Sequence, residues 1–515
     1  MPSPSVTTVA DAARLVDALR ARLQASTGRE VRVFETHISW VLLDGTHAWK
    51  LKKPVRLGFL DFAELPTRRR FCDEELRLNR RLAPQLYLDV VPIAGSVDAP
   101  RLGGDGDAIE YAVKMREFAP GALFSERLEA GTLAPAHLGR LAQRLSAFHD
   151  AAPVAAADIG YGSAERIEAD TAQVLDGLAP RVGAATIADL RERLTGQARA
   201  LRDTFERRRS AGRVREGHGD LHLANAVVLG EDVTAFDCIE FDPGLRWIDV
   251  ASDIAFLAMD LLAHGRRDLA YHFLDAWLAA SGDHDALRVL RYYMAYRALV
   301  RALVARIRAG QGGVAAGPDY LALARRLACE RDPRLLIAHG LSGSGKSYVS
   351  QRLLERAGAI RLRSDVERKR LFGLRALADA SAGPGEGIYA ADASQRTYER
   401  LLALAEISAD AGFPTIVDAT FLRAHERDAF RRFAQARGLP FAILHCRADP
   451  ALLRQRVAAR HAGRTDASDA DLAVLERQLA SHDALRDDER ALAIEVDTGE
   501  ALDADAIAAR WLGVA

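Results

Sequence analysis

HGDLHLANAVVLGEDVTAFD, residues 218–237, decides how the first half of this chain is read. Asp220 and Asn225 stand five positions apart, and Asp237 follows Asn225 by twelve. Between them lie an apolar strand (AVVL), a turn at Gly230-Glu-Asp, and a second strand that ends at Asp237. Transfer of a phosphoryl group to a hydroxyl needs an aspartate beside the acceptor and an Asn–Asp pair to hold Mg²⁺. This spacing supplies all three, with Asp220 facing the acceptor and Asn225 and Asp237 as metal ligands. The competing reading is a purely structural polar loop. His218 and His222 invite a metal site of their own, but an imidazole bonded to nearby backbone is the commoner use, and both are taken as scaffold.

Upstream, the pattern is that of a small sheet. VRVFETHISWVLLDGTHAWKLKKP (31–54) reads as two or three strands turning at Asp44-Gly45, a good hairpin dipeptide. A helix follows through RRRFCDEELRLNRRLA (68–83), then strands in LYLDVVPIAG and AIEYAVKMREFAP. From Leu133 to about Ala309 the chain is mostly helical, interrupted only by the 218–237 region. Strands first and helices later predict an α+β fold with a sheet lobe and a helical lobe. The amino terminus has Val9, Ala12, Leu15, Leu19 and Leu23 at helical spacing and lacks a signal-peptide pattern.

The second half is written differently. GQGGVAAGPD (310–319) is the best linker candidate, and a short helix, YLALARRLACE, precedes DPRLLIAHG. Strands then alternate with helices: LLIAHG, AIRLRSD, TIVDATF, FAILHCRA and LAIEVDT. That alternation predicts a parallel α/β sheet. The expected division is 1–309, a linker and short helix over 310–332, and 333–515.

GLSGSGKS (340–347) follows the first of these strands and opens a helix, the context a phosphate-binding loop requires. Gly340, Ser342, Gly343, Ser344 and Gly345 would close backbone N–H groups around phosphate oxygens, aided by the helix dipole. Lys346 would reach the outer phosphates, and the Ser347 hydroxyl would ligate Mg²⁺. Asp365 and Arg368, just past the second strand, read as a general base and an anion holder; a capping aspartate is the alternative. Asp418, ending the third strand, is placed near Mg²⁺, with a plain turn aspartate as its alternative. Arg456, Arg460 and Arg464 surround a polar, Gly-containing break and read as lid arginines that neutralise transferring charge.

Composition constrains the rest. At 515 residues, at least two domains are expected. A hydrophobic share of 49%, a charged share of 27% and a net charge of −1 describe an ordinary globular chain and weigh against a wholly nucleic-acid-binding surface. The scattered cysteines, Cys72, Cys238, Cys329 and Cys446, offer no metal spacing and fit a reducing compartment. The most apolar stretch, ASDIAFLAMDLLAHG, carries two aspartates and is too short to span a bilayer. A cytoplasmic protein without membrane partners is expected.

Two resemblances follow from these motifs. Over about 30–305, HGDLHLAN and IDVASDIAFLAMD resemble the aminoglycoside phosphotransferase group, itself similar to protein kinases. The resemblance implies Asp220 as catalytic aspartate, Asn225 and Asp237 as metal ligands, and Asp249 and Asp253 as braces of the loop. It also implies a nucleotide lysine on a small-lobe strand, with Lys50 the first choice and Lys52 the second. The helix partner would be Glu75 or Glu74, of which Glu75 has the better helical spacing to Leu82. An adenine-binding hinge would fall in KMREF (114–118), which contains Met115 and Glu117. No GxGxxG precedes the lysine strand; FETHISWVLL stands there instead. Over about 333–515, GLSGSGKS, RSDVERKR and VDAT are similar to P-loop kinases such as gluconate kinase and the 5′-kinase domain of phage polynucleotide kinase. That resemblance implies ATP, with GTP as the alternative nucleotide, together with Mg²⁺ and a hydroxyl acceptor. A small molecule is the favoured acceptor and a nucleic-acid 5′-hydroxyl the less favoured one. A first domain that only senses nucleotide is the remaining alternative.

Overall fold

The lysine strand shows why the first part of the chain folds as it does. In His47–Lys52 successive side chains alternate faces, so Trp49 and Leu51 point one way and Lys50 and Lys52 the other. Trp49 and Leu51 join Trp40, Leu42, Ile93 and Ile109 in a core closed by Leu15, Leu19 and Leu23 of the helix Val9–Thr27. That helix starts at Thr8, whose hydroxyl accepts from the Asp11 amide, and stops at Gly28 in the left-handed conformation (φ 67°). The opposite face is left for the two lysines.

The computed structural model describes residues 6–57, 60–310, 317–374, 391–463 and 470–513. Residues 311–316 of the linker candidate and Arg464 lie outside the described residues, as does the side chain of Arg460. The described chain divides into two units by packing: 1–163 with 207–253, and 164–206 with 254–515.

The first unit is α+β. Its six-stranded antiparallel sheet runs in the order Arg32–Glu35, Ser39–Leu43, His47–Lys52, Ala108–Arg116, Tyr87–Gly95, Pro100–Leu102. The Asp44-Gly45 turn forms as its residues dictate: Gly45 has φ 86°, and the Asp44 carboxylate accepts from the Thr46 and His47 amides at 2.9 and 2.7 Å. The helix Leu65–Asn79 lies against the sheet. Two small antiparallel pairs frame the loop at 218–225: Ala226–Leu229 with Asp232–Ala235, and Val214–Glu216 with Trp247–Asp249.

The second unit contains the parallel sheet, ordered Ile360–Arg363, Thr415–Asp418, Leu335–His339, Phe441–Arg447, Ala493–Asp497. Every residue of Leu335–His339 is buried, as a central strand covered on both faces should be. Its neighbours come from the later strands on either side, so the chain order reverses there, and loop 340–345 leaves at that crevice. In the same unit the helix Arg267–Ser281 packs against Lys346–Ala357. Among the described residues, no helix is long and apolar enough to cross a membrane.

Candidate active sites

In the first unit, Lys50 Nζ lies 2.7 Å from Glu75 Oε1 and 2.6 Å from Asp237 Oδ1. Glu75 uses its other oxygen for Lys52, also at 2.7 Å, and Lys52 in turn is bonded to Glu240. The two lysines divide the work: Lys50 reaches the partly exposed Asp237, whereas Lys52 ends among fully buried carboxylates. Burial pushes the Glu75 carboxyl up, but Lys50 and Lys52 outweigh it and hold the group at about 2. Burial opposes charge on Lys50 too, and Asp237 and Glu75 more than compensate, raising its pKa. Glu240 goes the other way, raised by burial despite Lys52. Glu74 faces outward to Arg77 and Arg246.

Asp237 adopts φ 65°, a left-handed conformation uncommon outside glycine. Its amide donates to Tyr87 Oη at 3.2 Å, and the next amide, of Cys238, donates to Asn79 Oδ1 at 2.9 Å. The turn that presents Asp237 is therefore held from the small sheet and from the helix that carries Glu75.

The loop 218–225 is organised around Asp253. This buried carboxylate accepts from the His218 and Gly219 amides at 2.7 and 2.8 Å and lies 3.2 Å from His149 Nε2. Burial raises its pKa, but the hydrogen bond and charge of His149 and the His218 contacts bring it down to about 2. Asp249 forms a bidentate pair with Arg208 at 2.7 and 2.8 Å. His218 Nε2 contacts the Phe236 carbonyl at 2.9 Å, and His222 Nδ1 accepts from the Ala224 amide at 3.2 Å. The Asn225 side-chain amide donates to the Asp220 carbonyl and carboxylate at 2.9 and 3.1 Å. Asn225 and Asp237 offer hard oxygen donors, which suit Mg²⁺.

At the hinge segment, Met115 packs with Tyr111, Phe118 and Phe236 beside the core. The Glu117 carboxylate accepts from the Gly45 amide at 2.7 Å and pairs with Arg32 at 3.0 Å. The segment in place of a glycine-rich loop is a tight turn between Arg32–Glu35 and Ser39–Leu43, where Thr36 Oγ1 receives the Ser39 amide at 2.9 Å.

In the second unit, the loop 340–345 has Gly340, Gly343 and Gly345 at φ 148°, 81° and 82°. A Cβ at Gly343 would stand 2.8 Å from the Leu453 carbonyl, so glycine is required by space as well as by φ. Lys346 Nζ donates to the Gly340 and Leu341 carbonyls, both at 2.8 Å. Ser344 Oγ is buried with no hydrogen-bond partner among the described residues, a polar atom that a phosphate oxygen would satisfy. The Ser342 amide is capped by Gln478 at 2.8 Å. Thr498 Oγ1 donates to the Ser344 carbonyl at 3.0 Å and accepts from Arg456 at 2.7 Å. Arg456 is thus tied to the cradle wall. Arg460 belongs to the helix Pro450–Gly463.

Asp418 is buried, and its Oδ2 has no hydrogen bond among the described residues; Arg363 and Arg361 approach to 3.8 and 3.9 Å. A buried carboxylate with an open oxygen, on a strand packed against the helix that carries Ser347, fits a Mg²⁺ ligand, since this ion is commonly held by one or two carboxylates plus substrate phosphates. Asp365 and Arg368 lie on the helix Ser364–Leu371, with Arg368 NH1 3.6 Å from Asp365 Oδ1.

Reading the sequence overlooked Glu240, Gln478 and Thr498. Glu240 could have been suspected, since it is the third residue after Asp237 in an otherwise apolar run. Gln478 and Thr498 carry no local signal; they reach the loop only because distant segments converge there.

Residues 335–485 match a family model described as AAA domain. An uncharacterized protein of Mycobacterium tuberculosis is 29% identical over 464 residues, covering 88% of this chain and 91% of its own. Among solved structures, a choline/ethanolamine kinase family protein from Mesorhizobium loti is 13% identical over 61% of this chain and 92% of its own (TM-score 0.38). A gluconokinase from Sinorhizobium meliloti is 19% identical over 36% of this chain and 94% of its own (TM-score 0.25). The P-loop motif 340–347 and four of the five strands of the parallel sheet lie within the residues that match this family model.

Proposed function

We propose that the protein is an ATP- and Mg²⁺-dependent phosphotransferase with two centres, each acting on a hydroxyl group of a small molecule. The observation that carries this reading is Lys50, ion-paired with Glu75 and hydrogen-bonded to Asp237, which is 187 positions away. The contact supports reading Lys50 as a phosphate-binding cation beside Asp237 as a metal ligand, in a part of the chain without a P-loop motif.

At the first centre, Lys50 binds nucleotide phosphate, Glu75 orients it, and Met115 and Glu117 border the base. Asp220 accepts the proton of the acceptor hydroxyl as its oxygen bonds to the γ-phosphorus. The bond from that phosphorus to the β,γ-bridging oxygen breaks, and ADP leaves. At the second, the amides of 340–345 and Lys346 hold the phosphates, Asp365 takes the corresponding proton, and Arg368 steadies the acceptor. Mg²⁺, held by Asn225 and Asp237 or by Ser347 and Asp418, would supply charge neutralisation at the phosphates. At the second centre, Arg456, Arg460 and Arg464 would neutralise charge on the transferring phosphoryl group.

The test is phosphorylation of a metabolite extract by wild type, Asp220→Ala and Lys346→Ala, read by mass spectrometry. Two products are expected, one lost with each variant. ATP left intact by the wild type with every extract would end the proposal. Labelling of 5′-hydroxyl oligonucleotides, abolished by Lys346→Ala, would reassign the second acceptor to nucleic acid. Activity indifferent to Asp220→Ala but altered in nucleotide affinity by Asn225→Ala would make the first domain a sensor.

A further inference from the structure

Arg361 is a buried cation on the sheet strand next to the one that ends in Asp418, and it does not hydrogen-bond to Asp418. Its donors go elsewhere. Nε and NH2 form a bidentate pair with Asp275 at 3.2 and 2.7 Å; NH2 also donates to Gln351 Oε1 at 2.6 Å; NH1 donates to the Ser347 carbonyl at 3.1 Å. Asp418 Oδ2 is left 3.9 Å from NH1, inside Coulomb range and outside hydrogen-bonding range. Asp275 belongs to none of the P-loop motifs. It comes from the helix Arg267–Ser281, which precedes the P-loop region and packs on Lys346–Ala357 within the same unit.

We infer that Asp275 is a positioning residue of the P-loop centre: it holds the Arg361 guanidinium back from Asp418, so that an oxygen of the Asp418 carboxylate stays open for Mg²⁺. This rests on the reading of Ser347 and Asp418 as the metal-binding pair. The physical reason is competition. A guanidinium seeks a bidentate carboxylate partner, and two candidates flank Arg361. Asp275 wins the hydrogen bonds, and Asp418 receives only the long-range charge. Without Asp275, Arg361 is a mobile cation beside the metal ligand, free to close the gap and occupy the oxygen that Mg²⁺ needs. The same guanidinium supports the Ser347 carbonyl, so its placement bears on both metal-binding residues.

The surroundings of Asp275 support a dedicated contact. His272, one turn before it, lies 3.1 Å from Gln351 Nε2 and 3.2 Å from Glu355 Oε1 on the P-loop helix. In the last turn of the same helix, the Ala279 carbonyl accepts from Arg370 of the Asp365/Arg368 helix at 2.7 Å. The helix Arg267–Ser281 therefore touches the phosphate-loop helix, the strand behind it and the acceptor-side helix.

The experiment uses the full chain with Lys50→Ala added, to silence nucleotide binding at the first centre. Binding of methylanthraniloyl-ATP is titrated with Mg²⁺ and melting is followed in parallel. Asp275→Asn should raise the Mg²⁺ concentration at half-saturation by about tenfold, the scale of lost support behind a metal ligand. Asp275→Glu should recover part of it. Arg361→Gln combined with Asp275→Asn should be no worse than Arg361→Gln alone, because the competing cation is gone. A lower melting temperature with an unchanged Mg²⁺ midpoint in Asp275→Asn would overturn the inference and leave Asp275 a packing contact. Lys346→Ala is the control: if it leaves probe binding intact, the P-loop reading itself fails, and the inference with it. Loss of binding with Lys346→Ala and no shift with Asp275→Asn removes the inference alone.

Discussion

At the scale of single residues, Lys50 and Lys52 sit two positions apart on one strand face yet face different fates. Lys52 is enclosed by Glu75 and Glu240, all of them buried. Replacing Lys52 with Met strands a carboxylate in the core, which should cost about 3–5 kcal/mol in urea unfolding. Lys50→Met should change stability less and abolish nucleotide binding at the first centre, as read by the first product of the extract assay. Asp253 makes a prediction in pH. Its folded pKa, about 2, lies below the ordinary aspartate value of 3.8, so its stabilisation is complete above pH 3.8 and is lost as pH falls towards 2. The size is about 2 kcal/mol. Asp253→Asn should lower stability at neutral pH by that order and flatten the unfolding free energy across that acid window. Equal pH slopes for the two proteins would remove this account of the loop's brace. These residues were unevenly legible. HGDLHLAN shows its Asp and Asn in the sequence, but which of Lys50 and Lys52 reaches Asp237 needed distances, since alternation puts both on one face.

At the scale of elements, the phosphate loop depends on what surrounds it. Gly343 at φ 81° lies under the Leu453 carbonyl, and Gly345 at φ 82° lies against Thr498. Gly343→Ala should therefore cost about 1–3 kcal/mol and eliminate nucleotide binding at the P-loop while sparing the first centre. Retained binding with normal stability would mean that the loop has room the structure does not show. Asp237 is the counterpart in the first unit, a non-glycine residue held at φ 65° by contacts from Tyr87 and Asn79 around it. The strands, the Asp44-Gly45 turn and the P-loop helix were readable because periodicity, turn residues and caps act locally. The positive φ of Asp237 was not, because its cost is met by partners 150 and more positions away.

At the scale of the whole molecule, the helices after residue 254 pack in one unit with the parallel sheet. Arg291 stacks over Phe413 at 4.0 Å, and Arg361 pairs with Asp275. A fragment 317–515, which keeps every P-loop motif, loses these partners. It should melt about 5–10 °C below the full chain, the shift expected for a few kcal/mol in a domain of this size, and should bind ANS through the uncovered face. A fragment as stable as the full chain would refute this dependence. The sequence by itself determined both fold classes, α+β and then parallel α/β, and the motif residues Asp220, Asn225, Asp237 and 340–347. These are set by periodicity and spacing along a few turns of chain. Only the tertiary structure decided that Lys50 meets Asp237, that Glu240 pairs with Lys52 and Thr498 with the Ser344 carbonyl, and that the helix Arg267–Ser281 packs on Lys346–Ala357. Such pairings are chosen by burial: a charge removed from water takes whichever partner the packing brings within reach, and nothing local in the chain encodes that partner.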